Sequence, residues 1–300
     1  MTDNNSRGLL QDKDSKDVPG HIRLIDAQQI TEVVAELCVE SNIIINEDIL
    51  AALSGAKTRE SDPIAKDVLE TLIMNTEAAK RERLPICQDT GMAVVFVSIG
   101  SGVHIIGDID SAINNGVRRG YREGYCRSSV VRDPIDRINT GDNTPAVIYY
   151  SFSPGDKIKI TVAPKGFGSE NMSGVCMLSP SDGVDGVMEF VVSVIRSAGP
   201  NPCPPVIVGV GIGGTMDKAA LMSKEALLRD VGSTHPNAFW ASIETQLLDR
   251  INDLGIGPGG FGGRTTALGV HIMTNPTHIA GLPVAVNIGC HATRHKTAFI

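Results

Sequence analysis

Aromatic residues are scarce in this 300-residue sequence: Phe, Trp and Tyr together make up 4%, with a single Trp. A core must therefore be assembled from Val, Ile, Leu, Ala and Met. Positive charge is also in deficit. Lys and Arg number 27 against 34 Asp and Glu, a formal net charge of −7, which speaks against a dedicated nucleic-acid surface. A few Arg and Lys gathered in one cleft would be invisible in that sum. No run of about 18 apolar residues occurs, so no membrane span is expected. The opening, Met1 to Gly20, is polar and charged and lacks the apolar stretch of a secretory signal. A flexible tail is expected over residues 1–24 of a cytoplasmic protein, followed by one domain over residues 25–300.

No C-x-x-C pair is present, which removes the zinc-ribbon and thioredoxin motifs. The six cysteines stand at 38, 87, 126, 176, 203 and 290. In a cytoplasmic setting disulfides are disfavoured, so these thiols are core residues, ligands or nucleophiles. What the chain does have is a real apolar content, 42%, and 32 glycines, concentrated most densely in three tracts after residue 160. Such tracts suit tight backbone and close approach to a ligand.

Apolar periodicity predicts helices from Ile25 to about Lys80. One face carries Ile30, Val33, Val34, Leu37 and Cys38; a second segment carries Ile64, Val68, Leu69, Leu72 and Ile73, opened by Pro63. β-Branched strands are expected at Ala93–Ile99, Ala146–Phe152 and Lys157–Val162. The Ser-Pro-Gly-Asp turn at 153–156 would pair the last two as a hairpin. A helix is expected at Ser111–Tyr125, a strand at Val206–Val210, helices at about Met216–Leu228 and Phe239–Leu254, and strands at Leu268–Met273 and Pro283–Ile288. The fold class is mixed α/β, a helical N-terminal layer packed on β-sheets whose strand-end loops carry the chemistry.

Three cysteines keep unusual company. Cys87 lies in LPICQDTG, Cys203 in NPCPP and Cys290 in NIGCHA, each at a predicted strand end among Pro, Gly and small polar residues. Such turns expose backbone N–H groups to sulfur, as a thiolate-ligated cluster requires. From spacing alone, three scattered cysteines are more often buried thiols than ligands. Cys38, Cys126 and Cys176 lack this setting and read as packing thiols. Asp89, two residues beyond Cys87, either moves a proton at a reacting centre or bonds backbone N–H groups in the Asp-Thr-Gly turn. Arg127 could grip a carboxylate with two parallel bonds. His278 sits in a predicted loop.

Gly209-Val-Gly211-Ile-Gly-Gly214 follows a strand and opens a helix, as in a dinucleotide fingerprint, with Asp230 at about the ribose-binding distance. Asp230, however, stands in a loop rather than at a strand end. Gly-rich backbone before a helix serves any anion, so an NAD(P)-binding role for Gly209–Gly214 is the weaker reading.

Together, ICQDTG (86–91), INTGDNTP (138–145), KGFGSENMS (165–173), NPCPPVIVGVGIGGT (201–215), GIGPGGFGG (255–263) and VNIGCHATRHK (286–296) resemble the α subunit of the class I, iron–sulfur fumarate hydratase and L-tartrate dehydratase family. The resemblance runs from about residue 30 to the C-terminus. It implies a [4Fe-4S] cluster with three Cys ligands, Cys87, Cys203 and Cys290, and one open iron. It implies a substrate pocket of Gln88, Asp89, Arg127, Gly168 and His278, with Asp89 and His278 handling protons and Arg127 clamping a carboxylate. The implied reaction is reversible hydration of fumarate to (S)-malate, with L-tartrate or a mesaconate-type substrate as alternatives. Single-chain members continue into a second domain that this sequence lacks, which implies a separate β subunit completing the site and a dimer of αβ heterodimers. A non-catalytic iron–sulfur carrier is the other competing class.

Overall fold

The computed structural model describes residues 22–300; the tail expected at the start lies almost wholly outside them. Arg23–Asp26 form a short strand, β1, and the Asp26 carboxylate caps the helix that follows by accepting the Gln28 N–H at 2.8 Å. The predicted N-terminal helical layer is three helices: α1 (Ala27–Ile43), α2 (Glu47–Arg59) and α3 (Pro63–Glu82). Asp62 caps α3 and Pro63 occupies its first turn, where a missing N–H costs nothing. Then come β2 (Met92–Gly100), β3 (Val103–Ile106), α4 (Ile109–Glu123), β4 (Val147–Ser153), β5 (Ile158–Lys165), the one-turn α5 (Phe167–Glu170) and β6 (Gly174–Leu178). The chain closes with α6 (Gly183–Ala198), β7 (Val206–Gly213), α7 (Met216–Ala226), α8 (Ala238–Asn252), β8 (Ala267–Asn275), β9 (Leu282–Gly289) and β10 (Lys296–Phe299).

Two four-stranded mixed sheets organise these elements, in the orders β10-β5-β2-β4 and β6-β9-β7-β8, beside a parallel β1–β3 pair. The hairpin expected between 146–152 and 157–162 does not form. β2 lies between the two strands, parallel to β4 and antiparallel to β5. The 153–156 turn instead arches over the end of β2, where Gly102 N–H donates to the Gly155 carbonyl (2.8 Å) and Gly100 N–H to the Lys157 carbonyl (2.9 Å). Turn chemistry was legible; its partner was a third strand.

Alternation along the strands decides which helices cover which sheet. Val95, Val97, Ile158, Ile160 and Val162 face Ile30, Val34, Ile113 and Val117 of α1 and α4. On the second sheet Val208, Val210, Ile272 and Val286 pack in a core with Val191, Ile195, Leu247 and Ile251 of α6 and α8. α7 lies on the opposite face of β7 and β9. Its approach explains the glycine pattern at 209–214. Gly209 and Gly211 are inside β7, and a Cβ on either would stand 2.0 Å from a carbonyl oxygen of α7, Ser223 and Ala219 respectively. The fingerprint spacing is a helix seated on a strand, not a phosphate-binding turn after one.

Candidate functional site

Cys87 stands on the connection from α3 to β2, Cys203 on the connection from α6 to β7, and Cys290 directly after β9. Each loop is pinned on both sides. The Ile86 N–H donates to the Asn42 carbonyl (2.9 Å) and the Ile86 carbonyl accepts from Asn75 Nδ2 (2.8 Å). Cys203 takes left-handed backbone, φ 56, a conformation that costs a non-glycine residue about 1 kcal/mol or more and is held only where the surroundings enforce it. Its N–H bonds the Pro200 carbonyl (3.1 Å), and the Gly255–Gly263 tract buttresses it, Gly259 N–H donating to the Pro204 carbonyl (2.8 Å). His291, next to Cys290, donates its N–H to the Cys203 carbonyl (3.3 Å), and its Nδ1 lies 3.0 Å from the same oxygen. The second and third cysteine loops are therefore stitched together.

The sulfurs feel one another. Burial pushes the Cys203 thiol up, and the neighbouring Cys290 and Cys87 push it further. Cys290 is likewise raised by burial, with Arg294 and Lys165 pulling the other way and Cys87 adding to the rise. Cys203 is exposed and the other two half-buried. By contrast Cys38 is fully buried in the first core, and burial holds its thiol far above the ordinary range. Burial also raises Cys126, to about 11.

Among the described residues no three His, Cys, Asp or Glu side chains are gathered as a single metal ion would gather them. A mononuclear zinc site, with each sulfur about 2.3 Å from one ion, therefore does not match. A polynuclear group spreads its ligands further apart. Three soft thiols without a carboxylate among them, with cationic groups beside Cys290, suit iron–sulfur chemistry in donor type and charge.

Beside Cys87, the Asp-Thr-Gly of CQDTG has structural tasks. The Asp89 carboxylate accepts the Gly91 N–H (3.0 Å) and, across the chain, the Phe167 N–H (2.9 Å). Its turn role is thus real, and it also fastens the KGFGSEN segment to the Cys87 loop. The buried Thr90 hydroxyl donates to the Arg127 carbonyl (3.2 Å) and accepts the Arg127 N–H (2.9 Å). This fixes the Arg127 backbone while its guanidinium, exposed, makes no hydrogen bond among the described residues. Gly168 approaches the Cys203 loop: a Cβ there would lie 3.7 Å from the Asn201 carbonyl oxygen. Gln88 is exposed beside Cys87. The structure therefore brings Gln88, Asp89, Arg127 and Gly168 to the cysteine loops.

His278 is elsewhere. It lies in the exposed turn before β9, where Thr277 Oγ1 donates to the Gly214 carbonyl (2.9 Å) at the far end of β7. The 8 residues of β9 separate it from Cys290, roughly 25 Å at about 3.3 Å per residue. Within one chain His278 does not join the set.

Several residues that the sequence did not single out prove central. Lys165, buried at the end of β5, donates to Ser169 Oγ and the Ile288 carbonyl (2.8 Å each) and pairs with Glu170 at 3.2 Å. Burial lowers its ammonium to about 8, against the pull of Glu170. Glu170 also takes Lys224 (2.6 Å) and the Asn287 amide (3.0 Å). Asn143, fully buried with φ 59, gives INTGDNTP its purpose: Nδ2 donates to the Gly91 carbonyl (3.1 Å) and Oδ1 accepts the Ser129 N–H (2.8 Å), tying the Arg127 segment to the CQDTG turn. Each lies in or beside a quoted motif, but nothing local marks which polar side chain points inward.

The family model described as Fumarate hydratase (Fumerase) matches residues 31–299. A chain of Methanocaldococcus jannaschii provisionally named L(+)-tartrate dehydratase subunit alpha is 43% identical over 273 residues, covering 89% of this chain and 95% of its own length. The L(+)-tartrate dehydratase subunit alpha of Escherichia coli is 34% identical over 276 residues, 91% of each chain, and that of Shigella sonnei has the same identity and coverage. With this match across nearly all its length, the chain belongs to the class I fumarate hydratase / L(+)-tartrate dehydratase α-subunit family of hydro-lyases.

Proposed function

We propose that the chain is the α subunit of a two-subunit iron–sulfur hydro-lyase that removes water from a small 2-hydroxy dicarboxylate with a four-carbon backbone. The observation that supports this is that hydrogen bonds join the loops of Cys87, Cys203 and Cys290, from three distant parts of the chain: His291, beside Cys290, bonds the Cys203 carbonyl, and Arg294, four residues beyond Cys290, bonds the Asp89 carbonyl in the Cys87 loop. These three residues would hold the cluster. When bound, a [4Fe-4S] group with three protein ligands supplies a Lewis acid through its open iron.

The chain's own residues do the rest. Arg127, its backbone fixed by Thr90 and its guanidinium unengaged, takes a substrate carboxylate in a two-pronged bond. Gln88 donates to the same substrate from the Cys87 loop. Asp89, held by two backbone N–H groups, passes a proton to the departing hydroxyl. Gly168 keeps the facing wall free of a side chain. Within one chain the proton falls to Asp89 alone. A part for His278 requires a second α chain, which a dimer of αβ heterodimers would provide. The base that removes the C3 proton comes from the β subunit, in keeping with relatives named "subunit alpha".

Sequence motifs place fumarate and (S)-malate first. The names of the relatives favour L-tartrate, whose extra hydroxyl a hydrogen-bonding pocket discriminates by several powers of ten. The αβ pair, reconstituted with ferrous iron and sulfide under anaerobic conditions, is assayed on (S)-malate, L-tartrate and citramalate. Dehydration of one of them is expected, and Cys203→Ser should lose both turnover and the broad visible absorption of thiolate–iron charge transfer. Turnover of none of the three, or an unchanged spectrum in Cys203→Ser, overturns the proposal.

A further inference from the structure

Arg294 is 3% exposed, yet among the described residues no carboxylate pairs with it. Its partners are all neutral. Nε and Nη2 donate to Asn42 Oδ1 (3.3 and 3.0 Å), Nη1 to the Ala292 carbonyl (2.8 Å) and Nη2 to the Asp89 carbonyl (3.1 Å). Asn42 is fully buried as well. A guanidinium cannot shed its proton in a protein, and an uncompensated buried charge is among the least favourable features a fold can carry. Lys165, the other buried cation near Cys290, already has Glu170 as its partner. Among the described residues Arg294 has none, and it stands among the cysteine loops. It lies four residues beyond Cys290 and lines a common cavity with it, and its bond to the Asp89 carbonyl reaches the Cys87 loop.

We infer that Arg294 is the built-in counter-charge of the three-thiolate set: a buried cation whose missing anion is the cluster itself. The inference rests on the iron–sulfur reading above. Its consequence is a coupling of opposite signs. Without the cluster the cation is a burden on the fold; with it, the cation favours retention of the anionic group and acceptance of an electron.

Asn42→Asp tests this without disturbing the arginine. The new carboxylate stands where two guanidinium N–H groups already point, at the loss of the Asn42 Nδ2 bond to the Cys38 carbonyl (3.0 Å). Midpoint potential, the rate of iron loss to a ferrous chelator and the Tm of the cluster-free chain are measured in the αβ complex and, for the last, after cluster removal. Asn42→Asp should lower the potential and speed iron loss several-fold, while the cluster-free Tm stays level or rises. Arg294→Lys should keep the potential near that of the unaltered protein, and Arg294→Met should lower it. If Asn42→Asp leaves potential and iron loss unchanged, or lowers the cluster-free Tm as much as the loaded one, Arg294 is only a structural tie and the inference falls. Absence of any cluster in the unaltered complex would instead remove the proposed function.

Discussion

At the scale of single residues, the site is a set of backbone anchors that leave selected side-chain ends unengaged. The Thr90 hydroxyl makes two bonds to the Arg127 main chain and leaves unengaged the guanidinium proposed to grip a carboxylate. Asp89 is subtler, because the carboxylate that closes the turn is also the proposed proton carrier. Asp89→Asn separates the two tasks. The amide oxygen still accepts one of the two backbone N–H groups, so the cluster absorption should persist. Turnover should fall by about 10²-fold or more, the usual loss for a proton-transferring group, with KM changed far less. A fall in cluster content equal to the fall in activity would assign Asp89 to the turn alone. Gln88, Asp89 and Gly168 stand in quoted motifs, whereas Arg127 lies outside all six and enters only through the family resemblance. Arg294 and Asn143 were not assigned, because burial rather than residue type gives them their importance.

At the scale of elements, the decisive contacts are those between pieces far apart in sequence. Glu170 joins four of them: it sits in α5 and binds Lys165 at the end of β5, Lys224 of α7 and Asn287 of β9. Burial alone would raise its carboxyl, but the two ammonium groups prevail and hold it at about 2, below its ordinary 4.5. A carboxyl depressed by folding stabilises the native state above its unfolded pKa, and that stability drains away as pH falls toward the folded one. Acid unfolding should therefore show a component between about pH 4.5 and 2, with Glu170→Gln less stable at neutral pH and flatter across that window. An unchanged acid limb in the variant, followed by circular dichroism, would refute it. β7 offers a second test. Gly211→Ala drives a methyl into the Ala219 carbonyl, which should cost about 3 kcal/mol of stability or more in thermal unfolding. NAD should give no thermal shift in the unaltered chain.

At the scale of the whole molecule, α1 and α4 cover one face of the first sheet, α6 and α8 cover one face of the second and α7 the other, and hydrogen bonds from His291 to Cys203 and from Arg294 to Asp89 join the cysteine loops. That rim stays open: Cys203 is exposed, as is Phe261 (68%) on the glycine tract that supports it. No helix among the described residues is long and apolar enough to cross a membrane. The open rim and the base expected from a partner lead to one outcome. The isolated α chain should bind the cluster without turnover, and adding the β subunit should restore activity; in the cluster-free chain the β subunit should slow alkylation of Cys203 but not of exposed surface groups. Activity from α alone would show that the base lies in this chain.

Most of the strands and helices could be placed from periodicity, because a face that must be buried repeats its apolar residues at the spacing of the element that carries it. The motifs were likewise enough to identify the family. The hairpin expectation failed because local turn chemistry specifies that a chain reverses, not which strand lies beside it; β2 took that place. In the same way, no local signal separates the two glycines that seat α7 from a nucleotide loop, puts His278 at the opposite end of β9 from Cys290, or leaves Arg294 buried without a carboxylate among the described residues. Those are facts about which surfaces meet, and the free energy of such meetings depends on residues a hundred or more positions apart. The linear chain thus determined its elements and the identity of its reactive groups. Only tertiary packing decided which of those groups share a site and which charge among them stands unanswered.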